Sequence, residues 1–102
     1  MTALVLQLPA IVEPAEFEAE VVVSVADRLR DDHGYSRSPG SPGADGDEHR
    51  YHLVPNGSIA VVRGQGRMVV RLHGIDVDAR DLFTGVSSEL EQRHDGLAVE
   101  IE

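Results

Sequence analysis

The chain has no cysteine and no tryptophan among its 102 residues, and only two phenylalanines and two tyrosines. Without cysteine there is no disulfide scaffold, no thiolate nucleophile and no thiolate-bound zinc. With so few aromatics, the core has to be built from valine, leucine, isoleucine and alanine. Lysine is missing too: all nine basic residues are arginine, which is a signature of genome composition and not of function. No run approaches the roughly 18 to 20 apolar residues that a membrane span needs, and the start, MTALVLQLPA, lacks the basic n-region of a signal peptide. A cytoplasmic protein is expected. Positive charge is scarce overall, with 18 acidic residues against nine basic ones, a net charge of -9 and a pI near 4.8. Such a field repels polyphosphates and opposes nonspecific nucleic-acid binding.

What is present fits one globular domain. At 102 residues, 41% hydrophobic and 26% charged, the chain supports a single core, so residues 1–102 form one α+β domain. Residues 3–8 read as a short strand closed by Pro9. From Pro14 to Asp32 two periods compete. At helical spacing Phe17, Val21, Val25 and Leu29 make one stripe with Val22 and Ala26 beside it, while at period two Phe17, Ala19, Val21, Val23 and Val25 make a strand face. The end signals select the helix: Pro14 for the first turn, glutamates at 13, 16, 18 and 20 near the positive end, and Gly34 as the stop. Those glutamates read as a solvated face.

Residues 36–48, SRSPGSPGADGDE, read as a flexible loop. A three-stranded meander follows: Arg50 to Val54, an Asn56-Gly57 turn, Ser58 to Arg63, a Gly64-Gln65-Gly66 turn, then Arg67 to His73. Asp78 offers an N-cap to a second helix carrying Ala79, Leu82, Phe83, Val86 and Leu90 up to Gly96, with Gly85 as a place for a kink. Leu97 to Glu102 alternates as a last strand. The order is β-α-β-β-β-α-β, with both helices on one face of a mixed or antiparallel sheet.

The meander holds the most informative asymmetry. From Arg50 to Ile75 there are four arginines, Arg50, Arg63, Arg67 and Arg71, and no acid. A two-residue Asn56-Gly57 turn pairs Val54 with Ile59, His52 with Val61 and Arg50 with Arg63. A three-residue Gly64-Gln65-Gly66 turn pairs Arg63 with Arg67, Val61 with Val69 and Ile59 with Arg71. Together they place Arg50, Arg63 and Arg67 in one row beside Val54, Ile59, Val61 and Val69, with Tyr51, Leu53, Ala60, Val62, Met68, Val70 and Leu72 on the core side. Like charges directly across strands destabilise a sheet by a few tenths to about 1 kcal/mol. Either acids such as Asp45, Asp47 or Glu48 fold over the row, or an acidic or phosphorylated partner does, with the valines as the apolar centre of an interface. The expected function is a small non-enzymatic protein-interaction module, adaptor, chaperone-like or regulatory. Its partner-binding set is Arg50, Arg63, Arg67, Arg71, Val54, Ile59, Val61 and Val69, and its partner is another protein or a second copy in a homodimer.

Two alternatives belong to other classes. The central order of helix, three strands and helix, over residues 14–94, resembles the αβββα of double-stranded RNA-binding domains. That resemblance implies duplex RNA docking through a lysine-rich start to the second helix; here that start is Asp76, Asp78 and Asp81, which repel phosphate. His49, His52 and Asp47, with His73 across the sheet, offer a nitrogen and oxygen ligand set, at a spacing that matches no strong zinc motif. Gly64-Gln65-Gly66 lacks a phosphate-loop lysine, and Ser87 and Ser88 have no histidine at an interpretable spacing. No enzyme, cofactor or metal is expected. The small acidic helix-flanked sheet is also similar to secretion-chaperone-like folds, which act as dimers.

Overall fold

A computed structural model describes residues 2–38 and 43–102. Among the described residues, seven strands and two helices follow in the order β1 (Ala3–Gln7), α1 (Pro14–His33), β2 (Ser36–Arg37), β3 (Gly43–Asp45), β4 (Glu48–Val54), β5 (Ser58–Gly64), β6 (Arg67–His73), α2 (Ala79–Arg93) and β7 (Ala98–Ile101). The fold is a single α+β domain with both helices against one face of an antiparallel sheet. Strand order is β2-β4-β5-β6-β1-β7, with β3 also on β4. The expected elements are all present, and β2 and β3 are additional. They lie within the stretch expected to be a loop and pair with opposite ends of β4: Arg37 opposite Leu53, and Ala44 opposite His49. The middle of that loop, 39–42, lies outside the described residues.

Helix α1 forms despite its run of valines because its ends and one face are satisfied. Glu13 caps the first turn by accepting the Glu16 N–H at 2.8 Å, Pro14 occupies the first helical turn, and Gly34 ends the helix at φ 75° with its N–H on the Arg30 carbonyl. Phe17, Val21, Val22, Val25, Ala26 and Leu29 are buried, so the 3.6-residue period prevails over period two. In α2, Asp78 accepts from the Asp81 N–H, and Leu82, Phe83, Val86 and Leu90 meet the same core. Gly85 does not interrupt α2. A side chain there would meet the Arg28 guanidinium at 2.5 Å, and Arg28 Nη2 uses the space to donate to the Gly85 carbonyl at 3.1 Å. Glu20, Ser24 and Arg28, four residues apart on α1, face Arg93, His94, Glu89 and Gly85 of α2 in a polar seam.

The register of the meander differs from the sequence reading at both turns. β4 and β5 pair Tyr51 with Ile59, Arg50 with Ala60 and His49 with Val61, three positions from the expected alignment. The connection is a longer loop, in which the Leu53 N–H donates to the Gly57 carbonyl and the Val54-Pro55 bond is cis. β5 and β6 pair Gly64 with Arg67, Arg63 with Met68 and Ala60 with Arg71, one position off, because Gly64 belongs to the strand and only Gln65 and Gly66 turn. Each shift is odd, and an odd shift exchanges the faces of a strand.

Candidate functional site: the open sheet face

His49, Tyr51, Leu53, Ile59, Val61, Arg63, Met68, Val70 and Leu72 point toward the helices. Glu48, Arg50, His52, Val54, Ala60, Val62, Arg67, Val69, Arg71 and His73 point away. The expected partner-binding set therefore splits. Arg50, Arg67, Arg71, Val54 and Val69 do share the open face. Ile59 and Val61 do not: both are fully buried at 0% exposure. Arg63 is also withdrawn, with its Nε 3.2 Å from Glu18 Oε1 on α1. The row of three arginines does not exist. Ala60 and Val62, expected on the helix-facing side, lie on the opposite face from Ile59 and Val61; Ala60 is nevertheless buried, at 2% exposure, between its neighbours on that face, and Val62 is half-buried.

A different arrangement takes its place. One row across the sheet runs Arg50, Ala60, Arg71, Ala3, and the next runs Glu48, Val62, Val69, Val5, Glu100. Two arginines thus stand on either side of the small Ala60, above a strip of valines that ends in a glutamate at each side. The resulting depression, about 330 Å3, is lined by Glu48, Arg50, Ala60, Val62, Val69, Arg71 and His73. Glu48 supplies part of the compensation expected from nearby acids, holding Arg50 at 2.7 Å; the Asp45 side chain lies outside the described residues. Arg67 and Arg71 are exposed and have no ion pair among the described residues.

The sequence reading missed a second polar constellation on the covered face. Glu18, read as part of a solvated helix face, is 5% exposed and lies under β4 and β5. His49 Nδ1 lies 2.9 Å from Glu18 Oε2, Arg63 Nε contacts Oε1, and the Tyr51 hydroxyl donates to Oε2. Arg37 in turn sits 5.4 Å over the Tyr51 ring. A signal for this cluster was available: Glu18 shares the apolar stripe of Val22, Val25 and Leu29, and a carboxylate there requires a buried cation. Chemically it is a satisfied ionic core, with every donor directed at one carboxylate. The histidines offered as metal ligands are divided by it, since His49 binds Glu18 on the covered face while His52 and His73 flank Ser58 on the other. Among the described residues, no group of three metal-ligating side chains converges.

Burial, the hydrogen bond to Glu18 and the Glu18 charge together push the Tyr51 hydroxyl up to about 12 from its ordinary value of 10.0. A raised folded-state value means that the fold favours the protonated form. Its contribution to stability is complete below pH 10 and is lost as pH rises toward about 12. Urea midpoints should therefore fall more steeply across that interval in the wild type than in Tyr51→Phe. Parallel curves would show that Tyr51 is not coupled to folding.

No protein-family model matches the chain, and no curated protein or solved structure matches it significantly. Among the described residues, no helix is long and apolar enough to cross a membrane. The geometry of the two faces is what bears on function.

Proposed function

We propose that the protein is a small cytoplasmic, non-enzymatic interaction module, adaptor, chaperone-like or regulatory, whose open sheet face holds an acidic polypeptide segment of a partner. The observation that carries this reading is the placement of Arg50 and Arg71 around Ala60, beside Val62 and Val69, on the face that neither helix covers. The chain has twice as many acids as bases, yet Arg67 and Arg71 find no carboxylate of their own among the described residues. Half of the acids lie in the two helices, six of them in α1 alone. A guanidinium recognises a carboxylate through paired charge-assisted hydrogen bonds, and the valine strip supplies the apolar centre of an interface. Net repulsion between two acidic proteins does not oppose this contact strongly. At physiological salt the screening length is about 8 Å, so the local cationic face governs the encounter at short range.

Two features support a non-enzymatic reading. The polar cluster around Glu18 spends its donors internally, and Ser58, the hydroxyl that His52 and His73 flank on the open face, is itself buried at 6% exposure. The acids Asp76, Asp78 and Asp81 at the start of α2 speak for a protein partner over RNA. The test is titration of a labelled peptide of alternating glutamate and leucine into the protein. Arg67→Glu combined with Arg71→Glu should weaken binding at least about tenfold, since charge reversal at two contacts replaces attraction with repulsion. Both sites are exposed, so circular dichroism should stay unchanged. No binding by the wild type, or equal affinity in the variant, would overturn the reading.

A further inference from the structure

The two edges of the sheet are built differently. On the β4 side the edge consists of β2 and β3, separate strands of two and three residues. The sequence between them includes Pro39 and Pro42, which have no N–H to offer another strand. On the other side β7, Ala98–Ile101, is continuous, and with its flanking Leu97 and Glu102 it is free of proline. A regular edge with unpaired N–H and C=O groups is a template for a further strand. Ala3 and Glu102 exchange both backbone hydrogen bonds at 2.9 Å. By the alternation of antiparallel ladders, Glu100 and Ala98 therefore bond inward to Val5 and Gln7, while Val99 and Ile101 turn their backbone groups outward.

We propose that β7 pairs antiparallel with β7 of a second copy, about a two-fold axis at Val99 perpendicular to the sheet. This position satisfies three independent conditions. Val99 meets Val99 of the second copy and Leu97 meets Ile101, so every outward backbone group in the segment has a partner and apolar side chains share the covered face. On the open face Glu100 meets Ala98. An axis one residue on, at Glu100, would set the two Glu100 side chains against each other at a close non-hydrogen-bonded pair, which is repulsive.

The third condition comes from α2, which packs over β1 and β7 and turns Gly85, Glu89 and Arg93 toward α1. With about 100° between successive residues, Arg80 and Glu91 lie together on the opposite flank, toward the free edge of β7. Both are exposed, and neither has an ion pair among the described residues. Val99 lies three residues past Gly96, about 10 Å along the strand. That distance corresponds to about seven helical residues back from His94, level with Ser87 and close to the midpoint of Arg80 and Glu91. Two α2 helices related by the axis would then set Arg80 of each near Glu91 of the other. Edge pairing of so short a strand falls short of the roughly 1,200 Å2 that stable interfaces bury, so the α2 flank is a necessary part of the contact. Both open faces end up on the same side, giving a bivalent surface. The inference rests on β7 and α2 and stands independently of what the open face binds.

The test is sedimentation equilibrium of the full chain across a range of concentrations. A reversible dimer is expected. Val99→Pro removes an outward N–H together with a half-buried side chain at the edge of the core, keeps the inward bonds of Ala98 and Glu100, and should leave a folded monomer. Arg80→Glu should weaken dimerisation at least about tenfold, and adding Glu91→Arg should restore it, because opposite charges again face each other. If Val99→Pro fails to fold, the charge exchange decides alone. A wild-type monomer at every concentration would overturn the proposal. So would a dimer indifferent to the charge exchange, or one lost instead in Arg71→Glu, which would place the contact on the open face.

Discussion

Glu18→Ala should lower the unfolding free energy by about 3 kcal/mol, the lower end of the cost of removing one partner from a buried ion pair. The Glu18 side chain is 6% exposed and accepts from three groups, the Arg63 guanidinium, the His49 ring and the Tyr51 hydroxyl. Its removal leaves all three oriented at a cavity. Arg63 and His49 keep 32% and 29% of their side-chain surface in solvent, so water recovers part of the loss, and this places the effect at the lower end. For a domain of this size, about 3 kcal/mol corresponds to a fall in Tm on the order of 15 °C. Combining Glu18→Ala with Arg63→Met should cost less than the sum of the single changes, because the second substitution removes the orphaned charge. Additive losses in urea denaturation would show that Glu18 and Arg63 do not act as a pair.

That cluster marks where sequence reasoning stopped. Both helices were legible, because Phe17, Val21, Val25 and Leu29 in one and Leu82, Phe83, Val86 and Leu90 in the other combine a 3.6-residue stripe with capping residues. The strands were legible as elements for the same kind of reason, since apolar runs end at Asn56-Gly57 and Gly64-Gln65-Gly66. Their register was not. Ile59, Ala60, Val61 and Val62 are apolar on both faces of β5, so period two gives no preference, and the alignment rested wholly on turn length. Turn length is decided by contacts distant in sequence: the Leu8 N–H on the Gly66 carbonyl, and the Asn56 amide on the Gly74 carbonyl. Two odd slips resulted, and the candidate site changed with them. Arg63 moved to the core side, where it satisfies the one glutamate that lies on the apolar stripe of α1. Arg71, on the open face in both registers, came into the row of Arg50 in its place. The charge asymmetry of the meander was real, and Arg50, Arg67 and Arg71 kept their expected face, while the face of Arg63 and the neighbours of the others depended on turn length.

The same contacts make Gly57 the position where a single methyl group should do most damage. Gly57 has φ 92°, and a Cβ there would lie 2.2 Å from Ile75 Cγ2 and 2.8 Å from the His73 carbonyl oxygen. The positive φ alone costs an L-residue about 1 kcal/mol. Ile75 can rotate away from the first contact, but the His73 carbonyl belongs to the end of β6 and moves only with the strand. Gly57→Ala should therefore destabilise by more than about 3 kcal/mol, as overpacking adds to backbone strain. Trimming Ile75 to alanine in the same chain should recover only a minor part, because the backbone contact remains. The change should also be felt on the open face, since the β4–β5 loop is tied to the end of β6 through Gly57 and Asn56, and this tie holds Arg50, Ala60 and Arg71 in one row. Where Gly57→Ala still folds at low temperature, binding of the acidic peptide should weaken along with stability. A variant that unfolds at the wild-type urea midpoint would show that the loop has room to move, and that the row is fixed by the strands alone.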